Sequence, residues 1–147
     1  MGHRNPFEFE TGPNRYTDSM YRFTQGTPNI PALHAARPGL KTIAQAGIEN
    51  IRGKSKRQTA LLIAMADQRG WRVNTPRDVE RRGGTISIDM PGAGRVCAEL
   101  LKRDVLVDYR PKAGVRFSPH LYNSDDELVR AIETAEEIVS QLASAVR

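Results

Sequence analysis

At 147 residues, 39% hydrophobic and 27% charged, the chain has the size and balance of one ordinary globular domain, which excludes a disordered segment. No apolar run approaches the roughly 20 residues needed to span a bilayer, and the N-terminus lacks the basic-then-apolar order of a signal peptide. A single cysteine, Cys97, excludes an internal disulfide and fits a reducing compartment, so the expected location is the cytoplasm with no membrane partner.

The net charge of +5 is unevenly spread. Residues 125–147 hold six acids against Arg130 and Arg147, so the basic excess lies elsewhere, in Arg52, Lys54, Lys56 and Arg57 and in Arg77, Arg81 and Arg82. Such a surface attracts any anion: nucleic acid, a phosphorylated cofactor or an acidic partner domain.

Residues 1–28 have no sustained period. Pro6, Gly12, Pro13, Gly26 and Pro28 punctuate them, with Phe7, Phe9, Tyr16, Tyr21 and Phe23 between. So many aromatics in an irregular segment need a surface to cover them. The segment reads as a strap, laid either on a partner domain or subunit or on this chain's own core. A small α+β domain is expected over residues 29–147.

Residues 30–46 read as a helix with Leu33, Ala36, Leu40, Ile43 and Ala46 on one stripe. Pro38-Gly39 should kink or briefly interrupt it. Gly47 ends it, and a second helix runs from about 48 to 69, with Ile48, Ile51, Leu62, Met65 and Ala66 inward. Its basic group (Arg52, Lys54, Lys56, Arg57) falls mostly on other faces, whose plain reading is a solvated surface. Gly70 caps its end.

The period then changes to two. TISIDM puts Ile86, Ile88 and Met90 on one face and Thr85, Ser87 and Asp89 on the other. Pro91-Gly92-Ala93-Gly94 turns into a short helix, 95–103, with Val96, Cys97, Leu100 and Leu101 buried. A strand over 105–109 and the turn PKAG lead into VRFS, 115–118. The last helix opens with a capping box, Ser124 and Glu127, and carries the stripe Leu128, Ile132, Ala135, Val139, Leu142 and Val146. The order helix, helix, strand, helix, strand, strand, helix predicts a small α+β unit, its short mixed or antiparallel sheet covered by helices on one side.

Chemistry-bearing motifs are few. There is no dinucleotide or phosphate-binding glycine loop, no Cys-x-x-Cys pair and no zinc-protease or serine-hydrolase signature. His3, His34 and His120 have no metal-ligand spacing. His34 reads as packed or capping on its helix, His120 as a loop residue, and Cys97 as buried and inert. Arg116 stands out. Val115 and Phe117 point to one face of VRFS, so Arg116 and Ser118 point to the other. An arginine fixed on a short strand is a rigid fork for a carboxylate, or one arm of an inter-strand salt bridge. Ahead of the first helix, Asn29 suits an N-cap and Pro31 the first turn. The same helix start also favours a phosphate, which would lean on the Thr27 hydroxyl because Pro28 and Pro31 remove backbone N–H groups.

Five stretches in order, MGHRNPFEFE, RFTQGTPNIPAL, KSKRQTALLIAMADQRG, TPRDVERRGGTISIDMP and LVDYRPKAGVRFSPHLYNSDDEL, make the chain resemble the C-terminal part of kynureninase. That family lies among the class V aminotransferase-like, fold-type I pyridoxal-phosphate enzymes. The resemblance implies hydrolysis of L-kynurenine or 3-hydroxykynurenine to an anthranilate and L-alanine on pyridoxal 5'-phosphate, in tryptophan catabolism, by a cytoplasmic homodimer. It implies Thr27 near the cofactor phosphate of the neighbouring subunit, Asn29 near the substrate's aryl ketone and Arg116 on the substrate α-carboxylate. It implies no role for nucleic acid. The family's cofactor lysine has no counterpart among Lys41, Lys54, Lys56, Lys102 and Lys112, and its Gly-Trp-x-Gly-His stretch survives only as Gly2-His3. The chain is thus expected to be the small domain and its lead-in, inactive without a large pyridoxal-phosphate domain. A cysteine desulfurase reading is disfavoured, since no cysteine lies in DYRPKAGVR. A different class V lyase remains an alternative, as does a non-catalytic module using the basic surface.

Overall fold

The computed structural model describes residues 2–5, 7–9, 11–24 and 26–145. The chain divides into two compact units, Met1–Gln45 and Ala46–Arg147.

In the first unit the lead-in has structure of its own. His3 bridges Tyr16 in antiparallel fashion. The Arg4 N–H donates to the Arg15 carbonyl at 2.6 Å and the Thr17 N–H to the Gly2 carbonyl at 3.1 Å, which ties residues 2–4 to residues 15–17. Gly2, at φ +82°, lies against the following 3-10 turn, Met20–Phe23; a Cβ there would sit 2.7 Å from the Arg22 carbonyl oxygen. Phe7, Phe9, Tyr16, Tyr21 and Phe23 are all exposed. Helix α1, Ile30–Ala46, runs through Pro38 without the expected interruption. Proline removes one backbone bond, and the turns on either side carry the helix past it. Its apolar stripe is present but uncovered, for α1 contains no buried residue, and His34 is exposed rather than packed.

The second unit holds the core. Helix α2, Ile48–Gln68, ends in a Schellman arrangement: the Gly70 N–H donates to the Asp67 carbonyl and the Trp71 N–H to the Ala66 carbonyl, both at 3.0 Å, with Gly70 at φ +65°. Leu62, Met65 and Ala66 are inward as expected, and Ile63 with them; Ile48, at 65% exposure, is not. It stands in the first turn, before the helix reaches the sheet. Strands β1 (Arg72–Val73), β2 (Ile86–Asp89), β3 (Asp108–Arg110) and β4 (Gly114–Phe117) form one antiparallel sheet in the order β1-β2-β4-β3. Helix α3, Ala93–Lys102, follows β2, and α4, Asp125–Ser144, closes the described chain.

Alternation decides the sheet's inner face. Ile86, Ile88, Val115 and Phe117 are buried together with Met90, Val96, Cys97 and Leu100. Helices α2 and α3 pack on that face, and α4 packs on both helices through Leu128, Ile132, Ala135 and Ile138. The expected α+β unit is therefore realised, with an added first strand. Val139 and Leu142 of the expected α4 stripe are half-buried, and Val146 lies outside the described residues.

Two further expectations need correction. The strand predicted at 105–109 begins only at Asp108. Asp104 adopts φ +59° and the Val105 N–H closes back on the Leu100 carbonyl at 3.0 Å, so the chain reaches the ladder late and Leu106 is left 88% exposed. Leu101, expected to be buried, is 46% exposed because α3 starts at Ala93 and presents Val96, Cys97 and Leu100 inward.

Candidate functional site

Arg116 sits at the centre of a cross-strand row. Register pairs it with Ser87 on β2 and with Asp108 on β3. Its neighbours Val115 and Phe117 are buried in the core, which fixes the backbone and turns the guanidinium to the sheet's open face. Asp108 meets it side-on: Nε donates to Oδ1 at 2.6 Å and Nη2 to Oδ2 at 2.5 Å. Arg110 approaches the same Oδ2 at 3.2 Å. The carboxyl of Asp108 is held below the ordinary carboxylate range, chiefly by the Arg116 hydrogen bonds, and Arg116 is raised in turn by Asp108. Of the two sequence readings of Arg116, the inter-strand salt bridge is the one present here.

Asp108 escaped the sequence reading. A three-residue loop, Pro111 to Ala113, joins β3 to β4, and the Ala113 N–H donates to the Arg110 carbonyl at 3.0 Å. Counting back through that loop places Asp108 opposite Arg116, a signal that was present once the loop length was known. Ser87, opposite on the other side, donates its hydroxyl to the Ala113 carbonyl at 2.7 Å and so braces the same loop.

The GTPN stretch belongs to the first unit and Arg116 to the second. Asn29 behaves as the N-cap: its Oδ1 accepts from the Ala32 N–H at 3.1 Å, and its carbonyl from the Leu33 N–H at 3.1 Å. The Thr27 side chain is exposed.

The basic group on α2 is only partly a solvated face: Arg57 is exposed, whereas Arg52 and Lys54 are half-buried. Arg52 donates to the Val79 and Arg82 carbonyls at 2.7 and 3.2 Å, and Lys54 to the Leu121 carbonyl at 2.8 Å. Lys56 pairs with Glu80 at 2.7 Å and Arg57 with Asp125 at 3.5 Å. Of the second basic cluster, Arg77 grips Asp67 at 2.7 Å through two nitrogens, and buried Arg82 donates to Thr59 and to the Arg77 carbonyl. These cations tie loops to α2.

Cys97 is buried, and burial raises its thiol above the ordinary range. Among the described residues no group of three His, Cys, Asp or Glu could hold a metal ion. No described helix is long and apolar enough to cross a membrane. An open cleft of about 630 Å³ lies between residues 103–107, the end of β4 and the start of α4, lined by Leu106, Tyr122 and Arg130 among others.

Residues 51–135 match the family model described as "Kynureninase C-terminal domain". A kynureninase of Geobacillus thermodenitrificans (strain NG80-2) is 31% identical over 121 residues, which is 79% of this chain and 28% of that protein. One of Shouchella clausii (strain KSM-K16) is 32% identical over 124 residues, 81% of this chain and 29% of the relative. The chain thus spans under a third of the length of the curated relatives it matches. Among solved structures, an apo cysteine desulfurase from Thermococcus onnurineus NA1 superposes with a TM-score of 0.74 at 24% identity, over 87% of this chain and 36% of that one. A NifS-like protein superposes with a TM-score of 0.65 at 20% identity, over 84% and 37%. At such identities the likeness is one of fold.

Proposed function

The chain belongs to the kynureninase C-terminal domain family, and from that premise we propose that it serves as the small domain of a pyridoxal-phosphate hydrolase. In this reading a large domain carries the cofactor and its lysine, and two such assemblies form a cytoplasmic homodimer. The reaction is hydrolysis of L-kynurenine or 3-hydroxykynurenine to an anthranilate and L-alanine, for which the cofactor, when bound, supplies the electron sink.

The observation that carries the reading is Arg116, a guanidinium fixed on a short strand inside the matched segment and turned to the open face of the sheet. It binds and orients the substrate's α-carboxylate. Thr27, exposed one residue before Pro28 at the start of α1, contributes a hydroxyl to the cofactor phosphate of the neighbouring subunit. Asn29 approaches the substrate near its aryl ketone with its amide nitrogen, since its oxygen caps the helix. The exposed aromatics of residues 7–23 suit a surface that a large domain covers.

The cofactor does not fit this chain alone. Lys54, Lys56 and Lys102 are each committed to an oxygen of the chain, and Lys41 and Lys112 are exposed on α1 and on the β3–β4 loop. The chain mixed with pyridoxal phosphate and L-kynurenine is expected to give no visible absorbance from covalently bound cofactor and no anthranilate fluorescence. Adding a lysine-bearing kynureninase large domain should bring fluorescence that Arg116→Lys abolishes. Anthranilate from the chain alone, or reconstituted turnover indifferent to Arg116, overturns the proposal.

A further inference from the structure

We infer that Asp108 is a positioning residue for Arg116, one that holds the guanidinium by its side edge so that its end edge is presented to an incoming carboxylate. The inference rests on the carboxylate-binding reading of Arg116 and adds to it the residue that aims the fork.

A guanidinium has five N–H donors in one plane. Asp108 takes two of them, one on Nε and one on Nη2. Nothing else among the described residues accepts from Arg116. Three donors are therefore left, two on Nη1 and one on Nη2; the outward N–H of each forms the end-on fork, which suits bidentate capture of a second carboxylate. The side chain of Arg116 is 38% exposed, so part of it is accessible to a ligand.

Two further features distinguish aiming from blocking. Arg110 lies 3.2 Å from the shared Oδ2, so two guanidiniums face one carboxylate and the cluster keeps a net positive charge. An anion approaching Arg116 thus meets an attractive field even with Asp108 in place. The grip is also built into the sheet: Asp108 and Arg116 are register partners across β3 and β4, with Arg110 opposite Gly114. A free arginine loses its rotamer freedom each time it binds; here that ordering is complete before the ligand arrives.

The test is nitrogen-15 NMR of the 147-residue chain, reading the Arg116 side-chain signals and their relaxation, with sodium benzoate as the carboxylate probe. In the wild type a rigid Arg116 Nε–H is expected, and benzoate should shift the Nη signals while the Nε–H bond to Asp108 persists. Asp108→Ala should leave Arg116 mobile and weaken benzoate binding by about threefold to tenfold, the range set by the freed side-chain entropy. Asp108→Asn, which keeps one acceptor oxygen, should restore part of the order and part of the affinity, and it serves if the alanine variant does not fold. Equal or tighter binding in Asp108→Ala, or loss of the wild-type Nε–H signal on benzoate addition, would make Asp108 a competitor and overturn the inference. Arg116→Lys separates the two levels: benzoate binding that ignores this change, or no benzoate shift at Arg116 at all, sinks the carboxylate reading itself, whereas the Nε–H relaxation still reports on Asp108.

Discussion

Gly114 opens β4 so close to β2 that a Cβ built on it would lie 2.2 Å from the carbonyl oxygen of Ile88. Its φ of +96° is also one that side chains rarely adopt. The contact sits beside the register pair Ile88–Val115, in the middle of the sheet. Gly114→Ala must therefore either strain the turn or push β4 off β2, and about 3 kcal/mol or more of stability should be lost. A urea midpoint equal to that of the wild type would show that the approach is looser than this. Gly53 makes the opposite case: it lies inside α2, and an added Cβ there meets nothing within 4 Å. Gly53→Ala should raise stability by about 0.5–1 kcal/mol.

Gln58 is a polar side chain at 1% exposure, and it survives there because both its donors are used. Nε2 donates to the Asn123 carbonyl and to Asp125 Oδ1, each at 2.9 Å, so it pins the loop ahead of α4 to α2. Gln58→Leu keeps the volume and removes the donor, leaving the Asn123 carbonyl unsatisfied at a cost of about 1–3 kcal/mol. The Asp125 carboxyl is held low, first by Gln58 and then by Arg57. A depressed carboxylate contributes stability above its ordinary range that is lost as pH falls through the lowered value. The variant should accordingly show a shallower decline on acidification, read from thermal midpoints between pH 6 and 3. An acid limb as steep as the wild type's would count against the assignment.

What could be read from the chain, and what could not, follows from range. Ile86, Ile88 and Met90 declared a one-sided strand because the period of two reflects a local geometry. Ser124 with Glu127, and Gly70 after α2, were legible for the same reason. Val105-Leu106-Val107 carries strand propensity, yet the turn at Asp104 decides where pairing starts, and propensity does not register that. Strand β1 is two residues long, too short to show any period. Arg116's outward face was readable from Val115 and Phe117, but its partner Asp108 depended on loop length. The basic group on α2 looked like a solvated face because its acceptors, the Val79, Arg82 and Leu121 carbonyls, lie 27 to 67 residues away.

Cys97 offers a probe of the core. Its Sγ lies 3.9 Å from the Val107 carbonyl, under the segment that leads into β3, and burial, with a smaller contribution from Asp108, raises its pKa. The folded chain therefore keeps the thiol protonated at a pH where the unfolded chain ionises. That contribution is fully present below the ordinary thiol range and declines as pH rises through and beyond it. Ellman's reagent at pH 8 should react with the native protein at least about 100-fold more slowly than with the urea-unfolded chain. Comparable rates would place Cys97 at the surface. Asp104→Gly, which eases the φ of +59° that begins the 104–107 excursion, should leave this protection intact.

The capping box on α4 is complete in both directions. Ser124 Oγ accepts from the Glu127 N–H at 3.2 Å, and Glu127 Oε2 accepts from the Ser124 N–H at 2.7 Å. Because α4 packs on both α2 and α3, loosening its first turn is felt by the whole core. Ser124→Ala removes one arm and should cost about 1 kcal/mol, which Ser124→Asn should largely restore since it keeps a capping oxygen. The Glu127 carboxyl is held below its ordinary range, chiefly by the Ser124 backbone N–H and then by Asn123. Its contribution is present above that range and fades as pH falls through the lowered value. Glu127→Gln retains an acceptor for the Ser124 N–H but does not titrate, so its thermal midpoint should change less between pH 6 and 3 than that of the wild type. If Ser124→Ala and the wild type melt together at neutral pH, the box is decorative and the start of α4 is held by its packing alone.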